Sequence, residues 1–259
     1  MIELWQLPLL FLAALAAGFV DAIAGGGGLI TVPVLLSCGL PGPLALGTNK
    51  LQAVFGSGSA TWHYARAGLV DWRACVRGFA LTVLGAVLGT LLVQRLDDQL
   101  LRRLIPWLLL AVALLMILRP RLGETDLHPR MKPLPFELLF GLGLGFYDGF
   151  FGPGTGTFWT LAFMLGLGFN LTRATAHTKV MNFASNAASL AVFLLHGQVL
   201  FLPGLVMGAG QWLGARLGAG MVVRGGTRFI RPVFLTVVFV LTARLLWQAY
   251  FSAPAAAHP

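Results

Sequence analysis

Residues 18–27, GFVDAIAGGG, and residues 145–154, GFYDGFFGPG, decide how this chain is organised. They align without a gap and match at five of ten positions: Gly18/Gly145, Phe19/Phe146, Asp21/Asp148, Gly25/Gly152 and Gly27/Gly154. Further landmarks follow in the same order. Lys50 falls on Lys179, Gly68 on Gly197, Gly85-x-x-Leu88-Gly89 on Gly210-x-x-Leu213-Gly214, and Arg102 and Pro106 on Arg228 and Pro232. Ordered landmarks at offsets of 125–129 make chance a poor source, so the chain reads as a tandem repeat.

What surrounds these motifs is apolar. Of 259 residues, 57% are hydrophobic and 10% charged, with a mean hydropathy of +0.82. A soluble domain carries about 25% charged residues, so this chain has too little polar surface to cover a water-soluble globule. Stretches such as Trp107 to Leu118 and Leu134 to Phe146 contain almost nothing polar. A soluble enzyme, a secreted disulfide scaffold and a disordered chain are excluded. Cys38 and Cys75 are far apart, lack metal-ligand spacing and read as packing residues.

Hydrophobic runs between polar or glycine-rich breaks predict ten helical elements. They lie near 5–24, 28–39, 44–65, 74–94 and 101–118, then near 134–150, 155–169, 173–196, 200–221 and 229–250. The fold class is therefore all-α: a polytopic membrane protein of two repeats, 1–118 and 136–259, joined by a cytoplasmic linker, 119–135. The N-terminus imitates a signal peptide but has no positive n-region, and the repeat includes it, so it reads as a retained first helix. Elements 28–39 and 155–169 are too short for a ~30 Å hydrocarbon core and are expected to be return arms of half-membrane hairpins. Five elements per half, or three crossings if two form a hairpin, is odd either way. The second half then enters from the opposite face, as an inverted repeat.

Basic residues set the orientation. One face collects Arg66, Arg73, Arg77, Arg119, Arg121, Arg130, Lys132, Arg173, Arg224, Arg228 and Arg231; the other collects Arg95, Arg102 and Arg103, diluted by Asp97 and Asp98. Eleven against three puts the linker in the cytoplasm and both termini outside. The net charge of +9 is thereby assigned to topology, and no nucleic-acid partner is expected.

Charged residues inside spans are costly and mark function by default. Asp21, Lys50, Asp148 and Lys179 form two repeat-related pairs. Two breaks lie beside the aspartates: Gly25-Gly26-Gly27-Gly28 with Thr31, and Gly152-Pro153-Gly154-Thr155 with Thr157. A helix broken inside a bilayer leaves N–H groups without partners, tolerable only where they line a cavity or meet a ligand. Two restarting helix N-termini near the midplane would make an anion site. Two polar segments in otherwise apolar helices complete the set. One carries Asn49, Lys50 and Gln52; the other carries His177, Thr178 and Lys179 and continues through Asn182, Ser185, Asn186 and Ser189 on one helix face. The lysines, tip amides and these polar groups are the candidate substrate ligands. Asp21 and Asp148 are candidates for proton coupling, or else structural partners of the lysines.

Soluble-enzyme signatures fail. Gly152-Pro-Gly154-Thr-Gly156 lacks the third glycine of the dinucleotide fingerprint and follows no strand. No Walker lysine, zinc-ligand helix or Ser/His/Asp arrangement appears. An intramembrane aspartyl protease would carry Gly-x-Gly-Asp where this chain has Gly18-Phe-Val-Asp21. His63, His128, His196 and His258 sit near predicted ends or loops. No metal, cofactor or catalytic residue is expected; the partners are a small anion and the lipid bilayer, and a homo-oligomer is compatible.

The phrases GFVDAIAGGGGLITVP, GTNKLQ, GFYDGFFGPGTGTF and ATAHTKVMNFASN resemble the sulfite exporter TauE/SafE family of membrane permeases. The resemblance covers nearly the whole chain. It implies a transporter of the bacterial cytoplasmic (inner) membrane moving sulfite, sulfoacetate or another organosulfonate, with export the expected direction; the proton coupling expected beside it rests on the buried carboxylates Asp21 and Asp148. The family's glycine motifs fall on Gly25 to Gly28 and Gly152 to Thr155, and its Asn-Lys and Thr-Lys positions on Asn49-Lys50 and Thr178-Lys179. Pro153 stands where the first half has Gly26, so the two tips need not be equivalent. An anion channel, a carboxylate transporter and, more remotely, an intramembrane hydrolase are the rival readings.

Overall fold

The computed structural model describes residues 2–96 and 128–225. The predicted elements 101–118 and 229–250, most of the linker and basic residues such as Arg102, Arg119 and Arg228 lie outside the described residues. Every regular element among the described residues is helical. Helix α1 (Leu7–Ala24), preceded by a 3-10 turn at Leu4–Gln6, is followed by α2 (Gly28–Ser37), α3 (Gly42–Arg66) and α4 (Trp72–Val93). In the second half α5 runs from Pro133–Phe136 through a π-turn at Glu137–Gly141 into Leu142–Phe150. Then come α6 (Thr155–Leu167), α7 (Leu171–Leu195) and α8, residues 201–225. Helix α5 thus begins inside the last residues of the predicted linker.

Local chemistry explains the boundaries. Pro8 sits in the first turn of α1 and Pro43 in that of α3, where no intrahelical N–H bond is lost. Asp71 caps α4 by accepting from the N–H groups of Arg73 and Ala74. Asn170 caps α7 by accepting from Arg173. The breaks after α1 and α5 need a left-handed backbone: φ is 77° at Gly25, 95° at Gly26, 95° at Gly152 and 83° at Gly154. A side chain at these positions would be strained.

The molecule is inverted relative to a water-soluble protein. Large apolar side chains such as Leu9, Leu12, Leu84, Leu138, Leu195 and Leu217 are exposed, while Lys50, Gln52, Asp148, Lys179 and Asn182 are buried. Leu4–Ala24 and Trp72–Val93 are long and apolar enough to cross a membrane. Helices α3 and α7 have 25 residues each, roughly 38 Å, and carry their polar groups inward. With 10 and 13 residues, α2 and α6 cannot cross a ~30 Å core by themselves.

Helices α5 and α6 fold back on one another. The N–H groups of Arg130 and Met131, before α5, donate to Gly166 O near the end of α6 at 2.9 and 3.0 Å. In the first half, residues at the start of α1 and the end of α2 share one apolar cluster, with Leu10 packed among Leu35 and Leu40.

The small-xxx-small pairs hold the halves together, and they do so reciprocally. A Cβ on Gly85 or Gly89 of α4 would stand 2.4 or 2.0 Å from Leu142 O or Phe146 O of α5. A Cβ on Gly210 or Gly214 of α8 would stand 2.4 or 2.0 Å from Phe11 O or Leu15 O of α1. Each fourth helix therefore packs, backbone against backbone, on the first helix of the other half. Helices α3 and α7 pack against each other at the centre, as in the approach of Gly58 to Phe183.

Candidate functional site

The two glycine breaks meet. A Cβ at Gly25 would lie 2.5 Å from Thr157 N and 2.6 Å from Gly156 C, and one at Gly28 would lie 3.3 Å from Pro153 Cα. Thr157 Oγ1 donates across the junction to Ala24 O at 3.0 Å. The tips line a small polar cavity of about 30 Å³. Its walls bring together Asp21, Gly26, Gly27, Gly28, Asn49, Lys50, Asp148, Gly152, Gly154, Thr155, Asn182 and Asn186 of the sequence-derived set. Ala53, Gly156 and Gln211 join them.

Each lysine is paired with the aspartate of the other half. Lys50 Nζ on α3 donates to Asp148 Oδ1 and to Asp148 O, both at 2.6 Å, and to Asn186 Oδ1 at 3.1 Å. The remaining oxygen of Asp148 accepts from Ser185 Oγ and, at 3.4 Å, from Asn182 Nδ2. Lys179 Nζ on α7 donates to Asp21 Oδ2 at 2.9 Å, and Asp21 Oδ1 accepts from the Gly27 N–H at 3.1 Å. Asp21 thus already acts as an anion held by a lysine and a tip amide. The two pairs differ in exposure: Lys50 and Asp148 side chains are 2% and 4% exposed, whereas Asp21 is 22% exposed beside a fully buried Lys179.

Helix starts leave backbone N–H groups unmatched. Gly27 N is used by Asp21, and Thr155 N by Gly152 O at 3.1 Å. The N–H groups of Gly26, Gly28, Gly154 and Gly156, all on cavity-lining residues, find no acceptor among the described residues.

The other predicted residues support the cavity from behind or lie elsewhere. Gly25 is the contact between tips. Thr31 Oγ1 and Gln52 Nε2 converge on Asn49 Oδ1 at 2.6 and 2.7 Å, fixing the Asn49 amide. Thr178 Oγ1 meets Thr160 Oγ1 at 3.1 Å, and Thr157 serves the tip junction. Lys179 acts through Asp21, and its Nζ would lie 3.4 Å from a Cβ on Gly156. His177 is apart: it lies against Phe163 and Phe169, its Nδ1 is 2.9 Å from Arg173 O, and it lines a different small cavity with Trp159.

Sequence reasoning omitted Gln211 from the site. It is 3% exposed and lines the cavity; its side chain fills the space a Cβ would take at Gly56, and its backbone carbonyl and side chain together fill that at Gly18. The signal was present: a lone amide in the apolar helix 201–225, next to Gly210. Gly156 lies inside the second glycine break, and the structure adds it to the cavity wall.

Groups of three or more His, Cys, Asp or Glu able to hold a metal do not occur among the described residues. The cavity instead combines two lysine–aspartate pairs and unmatched backbone N–H groups with two side-chain oxygens, Asn182 Oδ1 and Gln211 Oε1, that are unpartnered among the described residues.

Comparison with known proteins agrees with a membrane-embedded chain. The sequence profile of the family described as "Sulfite exporter TauE/SafE" matches residues 10–245. The chain is 49% identical over 246 residues to a "probable membrane transporter protein" of Haemophilus influenzae, covering 95% of this chain and 96% of the relative. It is 47% identical over 240 residues to the probable membrane transporter protein ORF9 of Sinorhizobium sp, covering 93% and 92%. It is 46% identical over 244 residues to the probable membrane transporter protein YfcA of Escherichia coli K12, covering 94% and 91%. Family and relatives are transporters and not enzymes, and this chain belongs to the sulfite exporter TauE/SafE family of membrane transporters.

Proposed function

We propose that the protein moves a small sulfur-containing oxyanion, sulfite or an organosulfonate such as sulfoacetate, outward across the bacterial cytoplasmic membrane in company with protons. It does so by alternating access of two inverted halves around the cavity between the glycine tips. The observation that carries this reading is the reciprocal pairing Lys50–Asp148 and Lys179–Asp21 beside four unmatched backbone N–H groups.

An oxyanion presents several acceptor oxygens, and the unpartnered Asn182 Oδ1 and Gln211 Oε1 can accept from a proton carried with it. Tip amides, ammonium groups and the amides of Asn49, Asn182 and Asn186 supply donors from several directions. The family's description as a sulfite exporter supports the sulfur-anion class.

Charge balance supports proton coupling. Two lysines and two aspartates make the site formally neutral, so a lone anion entering it would bring an uncompensated charge into a low-dielectric interior. A proton taken up by Asp148 or Asp21 releases its lysine to the incoming anion and keeps the site neutral. The proton leaves with the substrate when the ion pair closes again. The cavity holds only about 30 Å³, so the site widens to admit substrate, by separation of the Gly25 contact with Gly156 and Thr157. Helices α2 and α6, too short to span by themselves and folded back on α1 and α5, support tips that re-enter from opposite faces. The basic ends of α3, α4, α7 and α8 support a cytoplasmic linker and both termini outside.

Flux of labelled sulfite and sulfoacetate into proteoliposomes, with and without a pH gradient, tests this. Acidifying the side that holds the anion is expected to accelerate its passage, and Asp148→Asn to abolish that dependence. Transport by Asp21→Asn and Asp148→Asn that still follows the gradient refutes coupling. Flux that no gradient drives uphill indicates a channel, and stabilisation of the protein only by carboxylates or cations refutes the sulfur-anion class.

A further inference from the structure

The outer wall between α3 and α8 contains a slot unrelated to the transport cavity. A hollow of about 690 Å³ is lined by Trp62, His63, Arg66, Trp212 and Arg216 among others. A second, apolar hollow of about 450 Å³ is lined by Phe55, Leu205, Ala209, Trp212 and Leu213. Phe55 and Trp212 line both, so the two adjoin along one groove face, basic on one side and apolar on the other.

Neither arginine is neutralised. Arg66 lies over the Trp62 ring at 5.6 Å and Arg216 over the Trp212 ring at 5.5 Å. No ion pair to either occurs among the described residues, and no acidic residue lines the groove. Arg216 is the odder of the two. It stands eight residues before Arg224, roughly 12 Å along the helix, between Leu213 and Leu217, which are 40% and 57% exposed on the bilayer-facing surface. A guanidinium among lipid-facing leucines is costly unless an anion reaches it. Tryptophan beside arginine is the chemistry of a membrane interface.

We propose that this groove binds one anionic phospholipid, its phosphate between Arg66 and Arg216 and an acyl chain along Phe55, Leu205 and Leu213. A free inorganic anion accounts for the arginines but not for the apolar continuation, which favours the lipid. Binding there would clamp α8 to α3 where Ser59 Oγ already donates to Trp212 O at 3.0 Å. On the opposite side of the same helix turn, Gln211 reaches the transport cavity. The lipid thus sits one residue from the transport site.

Native mass spectrometry of the purified full chain, with phosphatidylglycerol and phosphatidylcholine in competition, tests this. Phosphatidylglycerol is expected to be retained preferentially. Arg66→Gln and Arg216→Gln should each weaken its retention about fivefold, and the double variant about 30-fold, the usual effect of basic groups at an anionic surface. The single variants keep the test decisive if the double variant does not fold, since Arg66 lies at an exposed helix end. Equal retention of both lipids, undiminished binding in the single variants, or displacement of phosphatidylglycerol by inorganic phosphate at millimolar concentration would each overturn the assignment.

Discussion

Neutralising one member of a buried ion pair tests the core of the site. In Asp148→Asn the Lys50 ammonium, 2% exposed, loses its carboxylate and keeps only carbonyl oxygens as acceptors. Leaving a buried charge unpaired costs about 3–5 kcal/mol, and at about 2–4 °C per kcal/mol for a chain of this size the unfolding midpoint should fall by about 6–20 °C. Adding Lys50→Met removes the orphaned charge, so the double variant should be less destabilised than the sum of the two single variants, by at least about 2 kcal/mol. Asp21→Asn should cost less than Asp148→Asn, because Asp21 is 22% exposed and water reaches it. Thermal unfolding of the purified protein in detergent, followed by loss of helical signal, measures all four. Effects that add to within about 0.5 kcal/mol would show that the pair is not coupled and would remove the basis of the charge-balance reasoning.

Other perturbations separate packing from transport. Gly25→Ala places a methyl 2.5 Å from Thr157 N at a φ of 77°, so anion flux in proteoliposomes should be lost while the purified protein remains monodisperse on gel filtration. Gly89→Leu and Gly214→Leu drive side chains into carbonyls that even a Cβ would approach to 2.0 Å, and neither should yield a monodisperse protein. Asp71→Ala removes the α4 cap and should lower stability by about 1 kcal/mol without changing the anion concentration at half-maximal flux. His177→Phe should likewise leave that concentration unchanged, because the imidazole lies among Phe163 and Phe169 and not on the polar cavity; a large change would return His177 to the substrate path.

Much of this protein was legible before any coordinates. The apolar runs predicted eight of the elements now described, with ends shifted by only a few residues, because helix boundaries depend on local capping, proline and glycine. Gly68 and Gly197, matched in the repeat, both follow a helix in a left-handed backbone, with φ of 72° and 66°. The polar stripe on α7 is buried along its length, from Lys179 through Asn182 and Ser185 to Ser189. His177 shares its helix with that stripe yet faces an aromatic cluster, because a helix has more than one buried face and periodicity cannot say which neighbour each face meets. Gln211 was passed over because a single amide in an apolar run shows a cost and not its partner.

What the sequence determined by itself was the list of expensive groups: two aspartates, two lysines and two glycine breaks, recurring at matched positions in an apolar chain. Local chemistry suffices there, since burying charge and breaking a helix in lipid are costly wherever they occur. Only the tertiary structure decided the pairing, lysine of one half to aspartate of the other, 98 and 158 residues apart along the chain. Those contacts depend on α4 and α8 packing across the halves through Gly85, Gly89, Gly210 and Gly214, and on the tips touching at Gly25 and Gly156. No local propensity encodes which distant backbone a glycine admits, so the ion pairs that make the site neutral exist only once the two halves have packed.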